Sequence, residues 1–215
     1  MSLQIHSFQF NAFQENSYLV WDENKNCLII DPGCYSTQEQ NELLNFIHEN
    51  ELNPCALLNT HAHIDHVLGN AFIKKNFDID YYLHQDDLNT LKSVEAYAHL
   101  YGFDGYKPSP EPDKFLTHNQ KLTFGSMEIT VFHTPGHALG HVVFYFEKAG
   151  FIVNGDVLFK GSFGRVDLPG GNIEILKKSI FDIMFKLPDH TVIFCGHGPE
   201  TTVGIEKKFN YIHQF

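Results

Sequence analysis

Between Thr60 and His66 the chain reads T-H-A-H-I-D-H, which places three histidines and an aspartate within six residues. The run follows Cys55-Ala56-Leu57-Leu58, a short apolar stretch that reads as a strand opened by Pro54. Three other apolar, strand-like runs end in the same way. His137 follows Met127 to His133, Asp156 follows Phe151 to Val153, and His197 follows Val192 to Cys195. Loops at strand ends can converge at one edge of a layered sheet. Glycines flank nearly all of these residues (Gly69, Gly136, Gly155, Gly196, Gly198), so tight turns can bring the backbones close.

The rest of the chain fits such a layered fold. Alternating apolar residues from Ile5 to Ile30, broken at 11–16 and at 22–26, predict two or three antiparallel strands. Asp31-Pro32-Gly33 stops the last of them, and position alone leaves Asp31 as either a turn former or a site residue. Ser36-Thr37-Gln38-Glu39 is a capping box that opens a helix with Leu43, Leu44 and Ile47 on one face. A second helix is expected over Val67 to Phe77 with Leu68, Ala71 and Phe72 inward. A strand over Ile79 to Leu83 and a helix from Gln85 follow. His99 to Asp113 has two glycines, three prolines and no period, as a surface loop or a lid would. Two hairpins follow, turning at Gly125-Ser126 and at Lys148-Ala149-Gly150. Asn172 then caps a helix carrying Ile173, Leu176, Ile180, Ile183 and Leu187, and a short helix from Gly204 to Tyr211 closes the chain. Helix and strand alternate, which predicts an α/β layered fold with two sheets face to face and helices outside.

Composition narrows the function. A chain of 215 residues is enough for one sizeable core, and its 20 phenylalanines must be largely buried. The net charge of -11, with Arg165 the sole arginine, argues against nucleic acid and against an anionic membrane surface. Met1 to Phe10 lacks a basic n-region, and no apolar run approaches the roughly 20 residues of a membrane span, so a cytoplasmic location is expected. Cys27, Cys34, Cys55 and Cys195 form no C-x-x-C and read as reduced thiols.

The ligand spacing suits metal chemistry. In extended backbone, residues two apart project to one side, so His61 and His63 can grip one ion. Asp65 and His66 lie at a helix start and can serve a second. By chance, H-x-H-x-D-H would occur in such a chain on the order of a few times in a thousand. Five histidines and two aspartates suit Zn²⁺, with Fe or Mn also compatible. Seven ligands on two ions, Asp156 shared, leave room for a water between them. His84, His133 and His141 read either as bland or as hydrogen-bonding support for the site. His6, His48, His99, His118, His190 and His213 read as solvent-facing or capping. There is no phosphate-binding G-x-x-x-x-G-K-[ST] loop and no G-x-S-x-G nucleophile elbow.

The set T-H-A-H-I-D-H, T-P-G-H, G-D and G-H-G resembles the metallo-β-lactamase superfamily across nearly the whole chain. The resemblance implies a four-layer αββα sandwich with the metal site along one edge. It assigns His61, His63 and His137 to one divalent ion, and Asp65, His66 and His197 to a second. Asp156 would bridge them, and Asp31 would support the site from behind. Within the superfamily, G-D-V-L-F-K-G-S-F-G-R looks like the type II glyoxalases. G-R-V-D-L-P-G-G with G-H-G-P-E-T-T-V-G-I-E looks like their compact bacterial branch, so residues 1–215 would be a single domain without the C-terminal helical domain of the full-length enzymes. The implied reaction is hydrolysis of a small thioester of the S-lactoylglutathione type by a hydroxide held between two metals, with Asp65 able to take the water's proton and Arg165 at a glutathione-binding position. A mononuclear iron persulfide dioxygenase using His61, His137 and Asp156 is the alternative, and a lactone hydrolase a further one. The sequence leaves the oligomeric state open.

Overall fold

The computed structural model describes residues 3–215; Met1 and Ser2 of the opening decapeptide lie outside them. One sheet holds β1 (Gln4–Phe10), β2 (Glu15–Trp21), β3 (Asn26–Ile30), β4 (Asn53–Leu58), β5 (Asp80–His84) and β6 (Lys114–Leu116), side by side in chain order. The other is built from β7 (Lys121–Phe124), β8 (Met127–His133), β9 (Val142–Phe146), β10 (Phe151–Gly155), β13 (Val192–Cys195) and β14 (Thr201–Thr202), in the order β14-β13-β10-β9-β8-β7. A small hairpin, β11 (Leu158–Phe159) and β12 (Ser162–Phe163), stands apart. The helices are α1 (Thr37–Glu49), α2 (Ile64–Val67), α3 (Asn70–Asn76), α4 (Leu88–Tyr97), α5 (Ile173–Asp182) and α6 (Val203–Phe209). β1 to β3 form an antiparallel meander, and β3 to β6 run parallel. Helices make the crossovers from β3 through to β6, as parallel pairing requires.

Both faces of each sheet are covered, so the strands read as continuous apolar runs. Leu28 and Ile30 of β3 face a central core shared with Val142, Phe144 and Phe146 of β9, while Cys27 and Ile29 face Leu43 and Ile47 of α1. On the far side, Val143, Tyr145 and Ile152 pack on Leu176 and Ile180 of α5 and on Val203 of α6. Three stacked apolar layers therefore separate four layers of structure, in the αββα order. The capping box is present: Ser36 Oγ accepts from Glu39 N–H, and Glu39 accepts from Ser36 N–H at 2.8 Å. A cap of this kind contributes about 1 kcal/mol.

The expected helix over 67–77 is instead broken at Leu68-Gly69 into α2 and α3. Gly69 N–H donates to the Pro32 carbonyl at 2.7 Å, and a Cβ there would lie 2.6 Å from both that oxygen and Cys34 Sγ. This approach pins the segment to the Asp31-Pro32-Gly33 turn. The buried apolar side chains are Val67, Leu68 and Ile73; Ala71 and Phe72 are only half-buried. The periodicity over 173–187 likewise spans α5 and a separate 3-10 turn, Met184–Lys186. β6 and the β11–β12 hairpin are additions, too short to show a period. The 99–113 segment is irregular after a 3-10 turn over Ala98–Tyr101, and it is anchored: Phe103 is buried, Tyr35 OH accepts from Gly105 N–H, and Ser109 accepts from Asn70. All four cysteines are free thiols. Among the described residues no helix is long and apolar enough to cross a membrane.

Candidate metal centre

All seven expected ligands meet at one edge of the sandwich. The loop after β4 and the start of α2 bring His61, His63, Asp65 and His66 from the first sheet. The loops after β8, β10 and β13 bring His137, Asp156 and His197 from the second. His61, His63 and His137 form one group whose ligand atoms lie within 4.8 Å of one another, and Asp65, His66 and His197 form another. In the first, His137 Nε2 is 2.8 Å from His63 Nδ1 and 3.3 Å from His61 Nε2. In the second, Asp65 Oδ2 is 3.1 Å from His197 Nε2 and 3.6 Å from His66 Nε2. Asp156 stands between them. Its Oδ1 is 3.6 Å from His66, and its Oδ2 is 3.5 Å from His137 and 3.6 Å from His197.

Most of the rings are held from behind. His137 Nδ1 donates to the Arg165 carbonyl at 2.7 Å, and His197 Nδ1 donates to the Phe13 carbonyl at 3.1 Å. His66 Nδ1 lies 3.1 Å from Asp31 Oδ2, and His61 Nδ1 lies 3.0 Å from Thr60 Oγ1, which itself donates to Asp31. With Nδ1 occupied in this way, the Nε2 lone pairs of these four rings are aimed into the site. Asp31 also accepts from Thr60 N–H and Asn59 Nδ2, so its oxygens are spent on support rather than ligation. Gly196 permits a close approach to a donor: a Cβ there would fall 2.1 Å from Asp156 Oδ1.

The donor set fits divalent cations. Among the described residues His66 Nε2 and Asp156 Oδ1 are fully buried without a hydrogen-bond partner, and both point into the space between the two groups. Buried polar atoms are normally satisfied, so an orphaned imidazole nitrogen facing an orphaned carboxylate oxygen is what a cation between them would resolve. The ionisation states agree. Burial and the neighbouring imidazoles hold His61 well below the usual histidine range, and they depress His63 to about 3, leaving both neutral as ligands must be. Burial opposes charge on His66 and His197 too, but Asp65 and Asp156 outweigh it and raise both. Against burial, His66 likewise holds Asp156 and Asp65 ionised. Protons thus gather at the second group, where cations would displace them.

The structure separates the remaining histidines. His141 is buried, stacks on His61, and accepts the Asp156 N–H at 3.1 Å, so it supports the site. His84 and His133 stack on each other at 4.1 Å and touch no ligand. Arg165 lines the cleft mouth, but its guanidinium is exposed and paired with Asp167 through bonds of 2.8 and 2.7 Å; its backbone carbonyl is what touches the His137 ring. Two contributors went unread in the sequence. Glu15 is fully buried 3.8 Å from His66 Nδ1, where burial pushes its pKa well up. Asp87 is also fully buried and bonds to two of the site loops. Neither falls in a motif, and an acidic residue at the start of a strand or helix carries no signal of burial. Above the donors opens a cleft of about 950 Å³, walled largely by Phe13, Tyr97, Tyr101, Leu139 and Phe163.

Comparisons with known proteins agree with this arrangement. The profile described as the Metallo-beta-lactamase superfamily matches residues 10–197. The hydroxyacylglutathione hydrolase GloC of Haemophilus influenzae is 34% identical over 209 residues, covering 97% of either chain. The crystal structure of TTHA1623 in a di-iron-bound form superposes with a TM-score of 0.86 at 36% identity, covering 96% of this chain and 98% of that one. The BLEG-1 B3 metallo-beta-lactamase superposes with a TM-score of 0.87 at 34% identity, over 97% and 98%. With its αββα layers, its two donor groups at the sheet edge and a profile match spanning most of its length, the chain belongs to the metallo-β-lactamase superfamily, a superfamily of metallo-hydrolases.

Proposed function

We propose that this protein is a binuclear metal-dependent hydrolase of small thioesters of the S-lactoylglutathione kind. The observation that carries the reading is the pair of complete donor groups joined by Asp156 at the floor of a cleft. His61, His63 and His137 would hold one cation, and Asp65, His66 and His197 the other, with Zn²⁺ the first candidate and iron the second. When bound, such cations lower the pKa of water and polarise a carbonyl. Asp65 faces the cleft, and its carboxylate can accept the proton of the attacking water. Asp31 and Thr60 keep His66 and His61 in one tautomer. The aromatic walls exclude water and pack the thiol's chain, and Arg165 meets a substrate carboxylate on releasing Asp167. The likeness to GloC supports the choice of a glutathione thioester. The second donor group favours hydrolysis over the one-iron dioxygenase chemistry that His61, His137 and Asp156 alone could support.

The test is metal content of the purified protein, followed by thioester, lactone, β-lactam and persulfide substrates on the same batch. About two metals per chain with thioester cleavage is expected, and His63→Ala or Asp156→Ala should lose both metal and turnover. One iron per chain with oxygen uptake on glutathione persulfide would replace the reading with the dioxygenase. Preferential β-lactam or lactone cleavage would move the substrate class.

A further inference from the structure

Asp87 sits at the start of α4, where an aspartate ordinarily caps its own helix by accepting the N–H two or three residues on. Here it makes no such bond. Its carboxylate, fully buried, reaches away from α4. Oδ2 accepts Ala62 N–H at 2.7 Å, and Oδ1 accepts Gly140 N–H at 2.7 Å. Ala62 lies between His61 and His63. Gly140 lies in the loop from His137 to His141, the loop of the third member of the same donor group. The approach is close enough that a Cβ at Gly140 would meet Asp87 N at 2.6 Å. Among the described residues only one other main-chain bond joins these two loops, Val142 N–H to the Thr60 carbonyl at 2.8 Å. The second donor group has different anchors: Asp31 for His66, and Phe13 for His197.

We propose that Asp87 is the positioning residue of the first metal site, clamping the His61/His63 loop of one sheet to the His137 loop of the other so that the three imidazoles converge. The local helix cap is given up for this clamp. A carboxylate accepting two N–H groups is the strong form of the bond, and the buried location excludes competing water. The inference rests on reading His61, His63 and His137 as the ligands of one cation, and is independent of the substrate.

The experiment isolates the two groups. Zn²⁺ affinity is measured by competition with a chromophoric chelator in two backgrounds: His197→Ala, where the first group is intact, and His63→Ala, where the second is. Asp87→Asn, which keeps the volume and one acceptor, should weaken Zn²⁺ about ten- to a hundredfold in the first background, and less than about threefold in the second. Asp87→Ala should act in the same direction and further. Equal loss in both backgrounds, or none in either, overturns the assignment. So does failure of both Asp87 variants to fold when the backgrounds alone fold, because Asp87 would then serve the fold rather than the site. If the unsubstituted protein binds no Zn²⁺, the reading of the donor groups fails instead, which keeps the two failures apart.

Discussion

Gly196→Ala isolates one atom. The new methyl would lie 2.1 Å from Asp156 Oδ1 and 2.9 Å from His66 Cε1, where ordinary contact begins near 3.4 Å. The backbone cannot retreat: Gly196 N–H donates to the Gly155 carbonyl at 2.7 Å, and its own carbonyl accepts from Asn16 N–H at 2.8 Å. The carboxylate must therefore move by about 1 Å or more, out of the line joining the two donor groups. A displacement of that size at a reacting centre costs on the order of a hundredfold in rate, or about 2.7 kcal/mol. Zinc content should fall from about two ions per chain toward one, read by metal analysis after gel filtration, and kcat/KM on a thioester should fall by about a hundredfold. Gly198→Ala is the control. Its φ is +73° and no atom lies within 4 Å of the added methyl, so it costs about 1–2 kcal/mol of backbone strain without touching a ligand. Wild-type metal content and turnover in Gly196→Ala would refute the placement of Asp156 between two cations.

Removing metal should destabilise the protein. Zn²⁺ at a thousandfold its Kd adds about 4 kcal/mol to the folded state, so chelation should lower Tm by calorimetry and re-addition restore it. Asp22 is 1% exposed and ties the β7–β8 turn to the β2–β3 turn by accepting from Ser126 and Asn26. Burial alone would raise its pKa, but those donors hold it below 3.8. Its stabilisation is therefore present above pH 3.8 and lost as pH falls through the lower folded value. Asp22→Asn should cost about 1–3 kcal/mol at pH 7 and progressively less as pH falls below 3.8, by denaturant titration. Asp167→Asn frees the Arg165 guanidinium, so KM for a glutathione thioester should fall about two- to fivefold with kcat unchanged, while a neutral thioester should show no change.

The candidate ligands were legible because metal chemistry demands particular side chains, and packing alone has no use for three histidines and an aspartate crowded together between His61 and His66. The strands were legible because two-sided burial makes them long apolar runs, as at Leu28 to Ile30 and Val142 to Phe146. Gly69 shows where such reading stops. The pattern from Val67 to Phe77 is helical by spacing, yet the contact with Pro32 comes from a turn 37 residues earlier and breaks it in two. Asp87 and Glu15 show a second limit. Asp87 accepts N–H groups 25 and 53 residues away, and Glu15, bonded locally to Ser17, meets an imidazole from a distant loop, so their part in the site is written nowhere near them in the chain. Arg165 shows a third: its side chain invited a role, while its carbonyl has the contact with His137.

Each sheet is made from one contiguous stretch of chain, the first ending at Leu116 and the second beginning at Lys121. Synthesis therefore delivers the whole first sheet, with four of the seven donors, before any strand of the second exists. A nascent chain can offer a cation only His61, His63, Asp65 and His66. On the binuclear reading, the complete pair of donor groups is assembled only when the second half docks, so metal capture would be a late event in folding. Cations held by both donor groups would span the seam, and the halves could not part without releasing them. Resistance to proteolysis should accordingly track metal occupancy more closely than it tracks the stability of either sheet.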